Sequence, residues 1–192
     1  MERNEFIEYL KSKKDFTKEY NTNTIIFNEN EYCDTVGIVL SGDVLVASYT
    51  YNGAEIVFKK LKANSLFGHS LIFSTNPIYR GAIICKKKCK IAYIEKNNFL
   101  KIISDQNNIT TFLSMLSDDV LASKEKARIL SFASTSDRLL YMLNIYKKIQ
   151  FESISSLALE MSVTRESLSR TIKKLSREQI ITLEGKCIKL VK

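Results

Sequence analysis

The pattern of apolar and polar positions changes character twice along the chain. Up to about residue 98, short β-branched and aromatic runs recur at residues 24–27, 36–40, 44–50, 55–61, 81–85 and 90–94. This region holds five of the six glycines (Gly37, Gly42, Gly53, Gly68, Gly81) and the only proline, Pro77. Short strands punctuated in this way predict an antiparallel sandwich or roll. Tyr51-Asn52-Gly53 predicts a hairpin turn, because Asn and Gly tolerate positive φ. Ser41-Gly42-Asp43 predicts a second one.

The period then lengthens. Residues 109–131 contain no Gly or Pro, and Ile109, Leu113, Leu116, Val120, Ala127 and Leu130 recur along them. With Ser123 included, the steps alternate between four and three residues. That pattern predicts a helix carrying a coiled-coil seam about three heptads long. A helix packed on its own sheet is the alternative, but the narrow stripe suits a helical partner better than a broad sheet.

From Ser136 onward, short helical patterns alternate with tight turns. Ser136 is expected to cap a helix carrying Leu139, Leu140 and Leu143, and the basic pair Lys147-Lys148 follows. Ile154, Leu157, Ala158 and Met161 then form one apolar face of a short helix, with a break at Ser162-Val163. Thr164 is a good N-cap for a second helix. Val163, Leu168, Ile172 and Leu175 would close its core, and Ala158 is small where two helices must cross. This is the layout of a helix-turn-helix.

On a helical wheel of about 100° per residue, Thr164, Leu168, Thr171, Ile172 and Leu175 fall on one side of the second helix. Glu166, Ser169, Arg170, Lys173, Lys174 and Arg177 fall on the other, with Arg165 at its edge. In a major groove an Arg can bond a guanine edge twice, and a Glu can accept from a cytosine amine. Residues near the N-terminus of a reading helix are the ones that reach base edges. Arg165, Glu166, Ser169 and Arg170 are therefore the expected base readers. Thr164, Lys173, Lys174 and Arg177 are assigned to phosphates, which give affinity without sequence. The alternative is a solvated helix face with ordinary charges. Beyond the helix, Glu184-Gly185-Lys186 turns between two short alternating segments and predicts a β-wing, with Lys186 and Lys189 beside a phosphate backbone.

Charge supports this division. The 192-residue chain carries a formal +8. Residues 1–123 hold 15 Lys/Arg against 14 Asp/Glu, whereas residues 124–192 hold 14 against 7. A basic region beside a neutral one suits a polyanion such as double-stranded DNA. No segment approaches the length of about 18–20 apolar residues that a membrane span requires. The charged, amphipathic start does not read as a secretory signal, so a cytoplasmic location with no membrane partner is expected. Cys33, Cys85, Cys89 and Cys187 form no CxxC pair, and His69 is the only histidine. The tight ligand pairs of a zinc site and the clustered thiols of an iron–sulfur site are both missing. No nucleophile–base pair or phosphate loop points to an enzyme.

Two stretches resemble the CRP/FNR family of bacterial transcription regulators. One is Ile38-Val39-Leu40-Ser41-Gly42-Asp43-Val44, followed by Leu66-Phe67-Gly68 and Tyr79-Arg80-Gly81-Ala82. The other, more specific, is Thr164-Arg165-Glu166-Ser167-Leu168-Ser169-Arg170, similar to the family's S-R-E-T-V-x-R helix. The resemblance implies an α+β fold in three parts. Residues 1–107 would form an effector-sensing, cyclic-nucleotide-binding-like antiparallel β-roll, residues 108–132 a dimerisation helix, and residues 133–192 a winged helix-turn-helix. It also implies a homodimer whose Arg165, Glu166 and Arg170 read a palindromic site.

The resemblance places an effector pocket at Gly68, His69, Ser70, Arg80, Gly81 and Ser123, and there the chain departs from the family. Gly68-His69 stands where cyclic-nucleotide binders have Gly-Glu, whose carboxylate accepts from the ribose hydroxyl. Arg80-Gly81 stands for Arg-Ser/Thr, and Ser123-Lys124 for the hydroxyl pair that meets the base. Lost polar partners would leave buried ligand groups unpaired, so cyclic AMP is not the expected effector. A haem held by His69 is a sharper reading, but no second axial ligand is evident. The effector stays unknown: a small anion at Arg80, or none. The hairpin through which some larger relatives touch RNA polymerase is missing between about residues 146 and 153. That partner, and activation against repression, stay open. A ligand-binding or protein-interaction module with a non-reading helix-turn-helix is the competing function.

Overall fold

In the computed structural model, which describes residues 1–53 and 55–191, the strands between residues 16 and 95 build two facing antiparallel sheets. Ala54 and Lys192, the last residue of the third predicted region, lie outside the described residues. The elements begin with α1 (Arg3–Ser12), β1 (Phe16–Tyr20), β2 (Ile25–Phe27), β3 (Thr35–Ser41), β4 (Val44–Tyr49) and β5 (Glu55–Leu61). They continue with β6 (Leu66–Phe67), β7 (Ala82–Cys85), β8 (Cys89–Glu95), α2 (Lys96–Ile103) and α3 (Gln106–Ser131). One sheet has the order β1-β8-β3-β6 and the other β2-β7-β4-β5. The chain divides into two compact units, Met1–Ser117 and Asp118–Lys192, so the division falls within α3.

β3 and β8 are buried on both faces, which is why their sequences read as nearly unbroken apolar runs. Val39, Ile91 and Tyr93 point into the roll with Val44, Leu61, Phe67, Tyr79 and Ile83. Their neighbours Ile38, Ala92 and Ile94 point the opposite way, under Phe6 and Leu10 of α1, Phe99 of α2, and Phe112 and Met115 of α3. The charged N-terminal segment is thus a covering helix, with Phe6, Ile7 and Leu10 inward.

The turn at residues 51–53 joins the hairpin β4–β5, as expected. Ser41-Gly42-Asp43 does not make a hairpin: β3 and β4 belong to different sheets, and the turn carries the chain from one to the other. Gly42 has φ +89°, and a Cβ there would lie 2.5 Å from the Lys88 carbonyl oxygen of the second crossing turn. Close approach of two crossing turns, rather than hairpin geometry, requires that glycine.

The second unit adds α4 (Thr135–Tyr146), β9 (Lys148–Gln150), α5 (Ile154–Glu160), α6 (Arg165–Arg177), β10 (Ile181–Glu184) and β11 (Cys187–Leu190). The cap of α4 is Ser134, not Ser136: the Ser134 hydroxyl accepts from the Asp137 backbone N–H at 3.0 Å. Ser136 lies in the first turn, two residues too late to reach the free N–H groups. The wing has three strands rather than two, ordered β10-β11-β9, because the segment after Lys147 pairs with β11.

α3 carries two stripes. Asn108, Thr111, Phe112 and Met115 are buried within the first unit. Ile129 joins the core of the second. The predicted seam lies on a different stripe. Ile109, Leu113, Val120, Ala127 and Leu130 are exposed and Leu116 is half-buried, with Leu113 54% and Val120 52% accessible. Ser123 is exposed, and its hydroxyl donates to the Asp119 carbonyl at 2.8 Å.

Candidate DNA-reading surface and effector pocket

α5 and α6 cross over a core of Leu157, Ala158, Met161, Leu168, Ile172 and Leu175, with Val163 packed at its edge. The turn between them reverses at Ser162, whose φ of +52° is the left-handed conformation that ends a helix. The Val163 N–H bonds back to the Ala158 carbonyl at 2.9 Å. Thr164 caps α6 as expected, its Oγ1 accepting from the Ser167 N–H at 3.1 Å. The Thr164 side chain is therefore exposed rather than on the core side where the wheel placed it.

The inward side of α6 is Leu168, Thr171, Ile172 and Leu175. Arg165, Glu166, Arg170, Lys173, Lys174 and Arg177 are exposed, and Ser169 is half-buried. Arg170, Lys173, Lys174 and Arg177, with Glu178, line a shallow concavity of about 430 Å³. Among the described residues, Arg165, Arg170, Lys173 and Arg177 have no carboxylate partner, while Lys174 lies 4.0 Å from Glu178. Unpaired cations on one rigid face are the geometry a polyanion needs. In the wing, Lys186 is exposed beside Gly185, which has φ +59°. Lys189 pairs with Glu184 at 2.7 Å and is less available for a phosphate than its sequence position suggests.

The first unit holds Gly68, His69, Ser70, Arg80 and Gly81, whereas Ser123 lies in the second. Gly68 has φ +78°, and a Cβ there would stand 2.5 Å from the Thr35 carbonyl oxygen, so no other residue fits. Its carbonyl accepts from the Leu71 and Ile72 N–H groups, each at 2.9 Å, starting the turn that buries His69 to 6% exposure. Ser70 and Arg80 are exposed, and Arg80 has no carboxylate or hydrogen-bond partner among the described residues. A Cβ at Gly81 would meet the ring of Phe58 at 3.1 Å. The ring, like the Ala47 carbonyl oxygen at 3.1 Å, thus crowds the start of a Ser or Thr side chain at position 81.

Burial pushes the Cys33 thiol up, and burial beside Cys85 pushes the Cys89 thiol up to about 12. Such thiols stay protonated and are poor metal ligands. No group of three or more His, Cys, Asp or Glu among the described residues could hold a metal ion, and no helix is long and apolar enough to cross a membrane.

The family model of the cyclic nucleotide-binding domain matches residues 17–106. The cAMP-activated global transcriptional regulator CRP of Pasteurella multocida is 23% identical over 184 residues, covering 88% of this chain and 87% of the relative. The chain is thus similar over most of its length to a CRP regulator, and within it residues 17–106 match the cyclic nucleotide-binding domain. The curated relatives it matches are transcription regulators. Among solved structures, the c-di-GMP responsive regulator CLP of Xanthomonas campestris aligns with a TM-score of 0.63 at 20% identity, covering 98% of this chain and 99% of that one. CprK complexed with OCPA aligns with a TM-score of 0.68 at 14% identity, covering 97% and 91%. The fold is therefore that of these proteins.

Two features escaped the sequence reading. Phe58 is distant in sequence from Gly81, and nothing in its surroundings marks it as a pocket residue. The Thr135 and Ser167 hydroxyls meet at 2.8 Å across 32 residues, tying the first turn of α4 to the first turn of α6. No local pattern announces such a pair.

Proposed function

We propose that this chain is a transcription regulator of the CRP/FNR type, working as a homodimer that reads a palindromic DNA site in the major groove. Arg165, Glu166, Ser169 and Arg170 address base edges. Thr164, Lys173, Lys174, Arg177 and Lys186 address phosphates. The observation that carries the reading is the capped α6, with its apolar side buried and Arg165, Arg170, Lys173 and Arg177 on the opposite side without a carboxylate partner among the described residues. Dimerisation rests on the seam of Ile109, Leu113, Leu116, Val120, Ala127 and Leu130. Its exposed members form an apolar stripe on a single helix, interrupted at Ser123, which a second copy would bury. The parts assign themselves accordingly: a roll over 1–107, a dimerisation helix over 108–132 and a winged reader over 133–192.

The pocket is degenerate for cyclic nucleotides. His69 replaces the carboxylate expected for the ribose, Gly81 supplies no hydroxyl, and the Phe58 ring fills the space beside it. Arg80 remains as a free cation for a small anionic effector. RNA polymerase is a further candidate partner, through a surface other than the missing hairpin.

Selection of duplexes from a random library by the full chain tests the DNA reading. The expected product is a pair of inverted half-sites whose centres lie about one helical turn, ~34 Å, apart, the spacing of dimeric helix-turn-helix regulators of this kind. Recovery of no motif, or of a single unrepeated half-site, refutes it.

A further inference from the structure

Arg138 sits on the first turn of α4, and its guanidinium reaches two places at once. Nε donates to the Phe132 carbonyl at 2.8 Å, and Nη2 donates to the Leu130 carbonyl at 3.2 Å. Nη1 donates to the Met161 carbonyl at 2.9 Å and the Ser162 carbonyl at 3.3 Å. The first pair of acceptors belongs to the C-terminal end of α3. The second belongs to the turn between α5 and α6. Arg138 itself is half-buried.

Two of these acceptors, Leu130 and Met161, are ones that helix geometry leaves over. The last carbonyls of a helix have no intrahelical donor, and they carry the negative end of its macrodipole. Leu130 is in the last turn of α3, and Met161 is the C-cap of α5. Two negative helix ends therefore converge on one cation. The Ser162 carbonyl belongs to the residue held at φ +52°, so the same guanidinium braces the left-handed turn that aims α6. Beside it, the Thr135–Ser167 hydroxyl pair joins the same turn of α4 directly to the start of the reading helix.

We infer that Arg138 is a positioning residue: its guanidinium locks the end of α3 to the α5–α6 turn and so fixes the direction in which α6 presents Arg165, Glu166 and Arg170. The inference rests on the proposal that α6 reads DNA. Arginine is required because a planar fork with five donors can serve two separate carbonyl pairs. An ammonium has the same charge but one small centre, and it can serve only one of them. The Arg138 fork touches no base and no phosphate in this role. It should govern discrimination between sequences rather than general attraction to DNA.

The test compares full-length wild type, Arg138→Lys and Thr135→Val on a duplex selected by the wild type and on a shuffled duplex of equal length. Melting temperatures are recorded alongside. Arg138→Lys is expected to lower affinity for the selected duplex about tenfold. Affinity for the shuffled duplex and its salt dependence should stay at the wild-type level. Thr135→Val, which removes the hydroxyl pair without touching the guanidinium, should give a smaller loss in the same direction. Amide hydrogen exchange supplies a readout independent of DNA: residues 162–168 should exchange faster in Arg138→Lys while the melting temperature stays near wild type. Lysine restoring the wild-type ratio between the duplexes overturns the inference. So does a loss equal on both duplexes, or one that only follows melting. If wild type shows no preference between duplexes, the DNA-reading proposal has failed instead, and the exchange rates alone decide for or against Arg138.

Discussion

Leu113→Ala isolates the seam from everything else the long helix does. Leu113 is 54% exposed in the single chain, whereas its neighbour Phe112 is buried in the first unit. The substitution therefore removes seam surface without opening the core. It deletes three carbons, and each buried CH₂ is worth about 0.8 kcal/mol. Scaled by the exposed fraction, the loss is about 1.3 kcal/mol per helix. A two-fold interface presents each residue twice. The dimer should then lose about 2.6 kcal/mol, or roughly 80-fold in dissociation constant. Sedimentation velocity over a dilution series reads that constant directly. Asp118→Ala, an exposed change off the seam stripe, serves as the control and should leave the constant within about twofold. Equal dissociation constants for wild type and Leu113→Ala refute the seam. A Leu113→Ala chain that melts well below wild type at high concentration, where both are fully associated, also refutes it, because the side chain would then be supporting the fold of its own unit.

Other outcomes follow from the reading surface and the pocket. Arg170→Ala should cost about 1–3 kcal/mol on the selected duplex and relax preference at one position of each half-site, whereas Lys173→Ala should weaken all duplexes alike and lower the salt slope by about one; mobility shifts at several salt concentrations separate the two. Thr164→Ala removes the acceptor for the Ser167 N–H and should destabilise the second unit by about 1 kcal/mol, seen as a lower melting temperature. Isothermal titration of wild type with cyclic AMP should give no binding heat. His69→Glu combined with Gly81→Ser should remain silent until Phe58→Leu is added, because a Cβ at position 81 meets that ring. Binding by the double variant alone would show that the ring is no obstacle.

Much of the roll was legible because its strands are short, β-branched and bounded by glycine. The expected strand at residues 55–61 coincides with β5. The strand β1 and the helices α1 and α2 escaped, as did β6 and β9, whose local signals are weak. β6 is two residues long, and β9 is three residues long after a lysine. In the second unit the helices end on Lys147, Ser162 and Gln179 in left-handed conformations, where glycine would have marked the boundary. The false hairpin at Gly42 arose because one glycine signal serves two geometries: a tight reversal within a sheet, and close approach of two crossing turns. Only the partner strand distinguishes them. The reading face of α6 was legible from period alone, since a one-sided helix declares its exposed side once its core is known. Phe58 over Gly81 and Arg138 between two helix ends were not legible. Each depends on a contact that reaches more than twenty positions along the chain, Phe58 to Gly81 and Arg138 to Met161, and neither alters the local pattern.

β3 and β8 deserve to be seen as a party wall. Val39 and Ile91 belong to the room inside the roll, while Ile38 and Ala92, one residue away, belong to the room shared with Phe112 and Met115 of α3. Dense interiors compress little. Anything that swells or empties the inner room must therefore push on a single hydrogen-bonded layer, with helix α3 on its other side. The shortest mechanical route out of the roll is one strand thick, and residues 38 and 39 are its two faces.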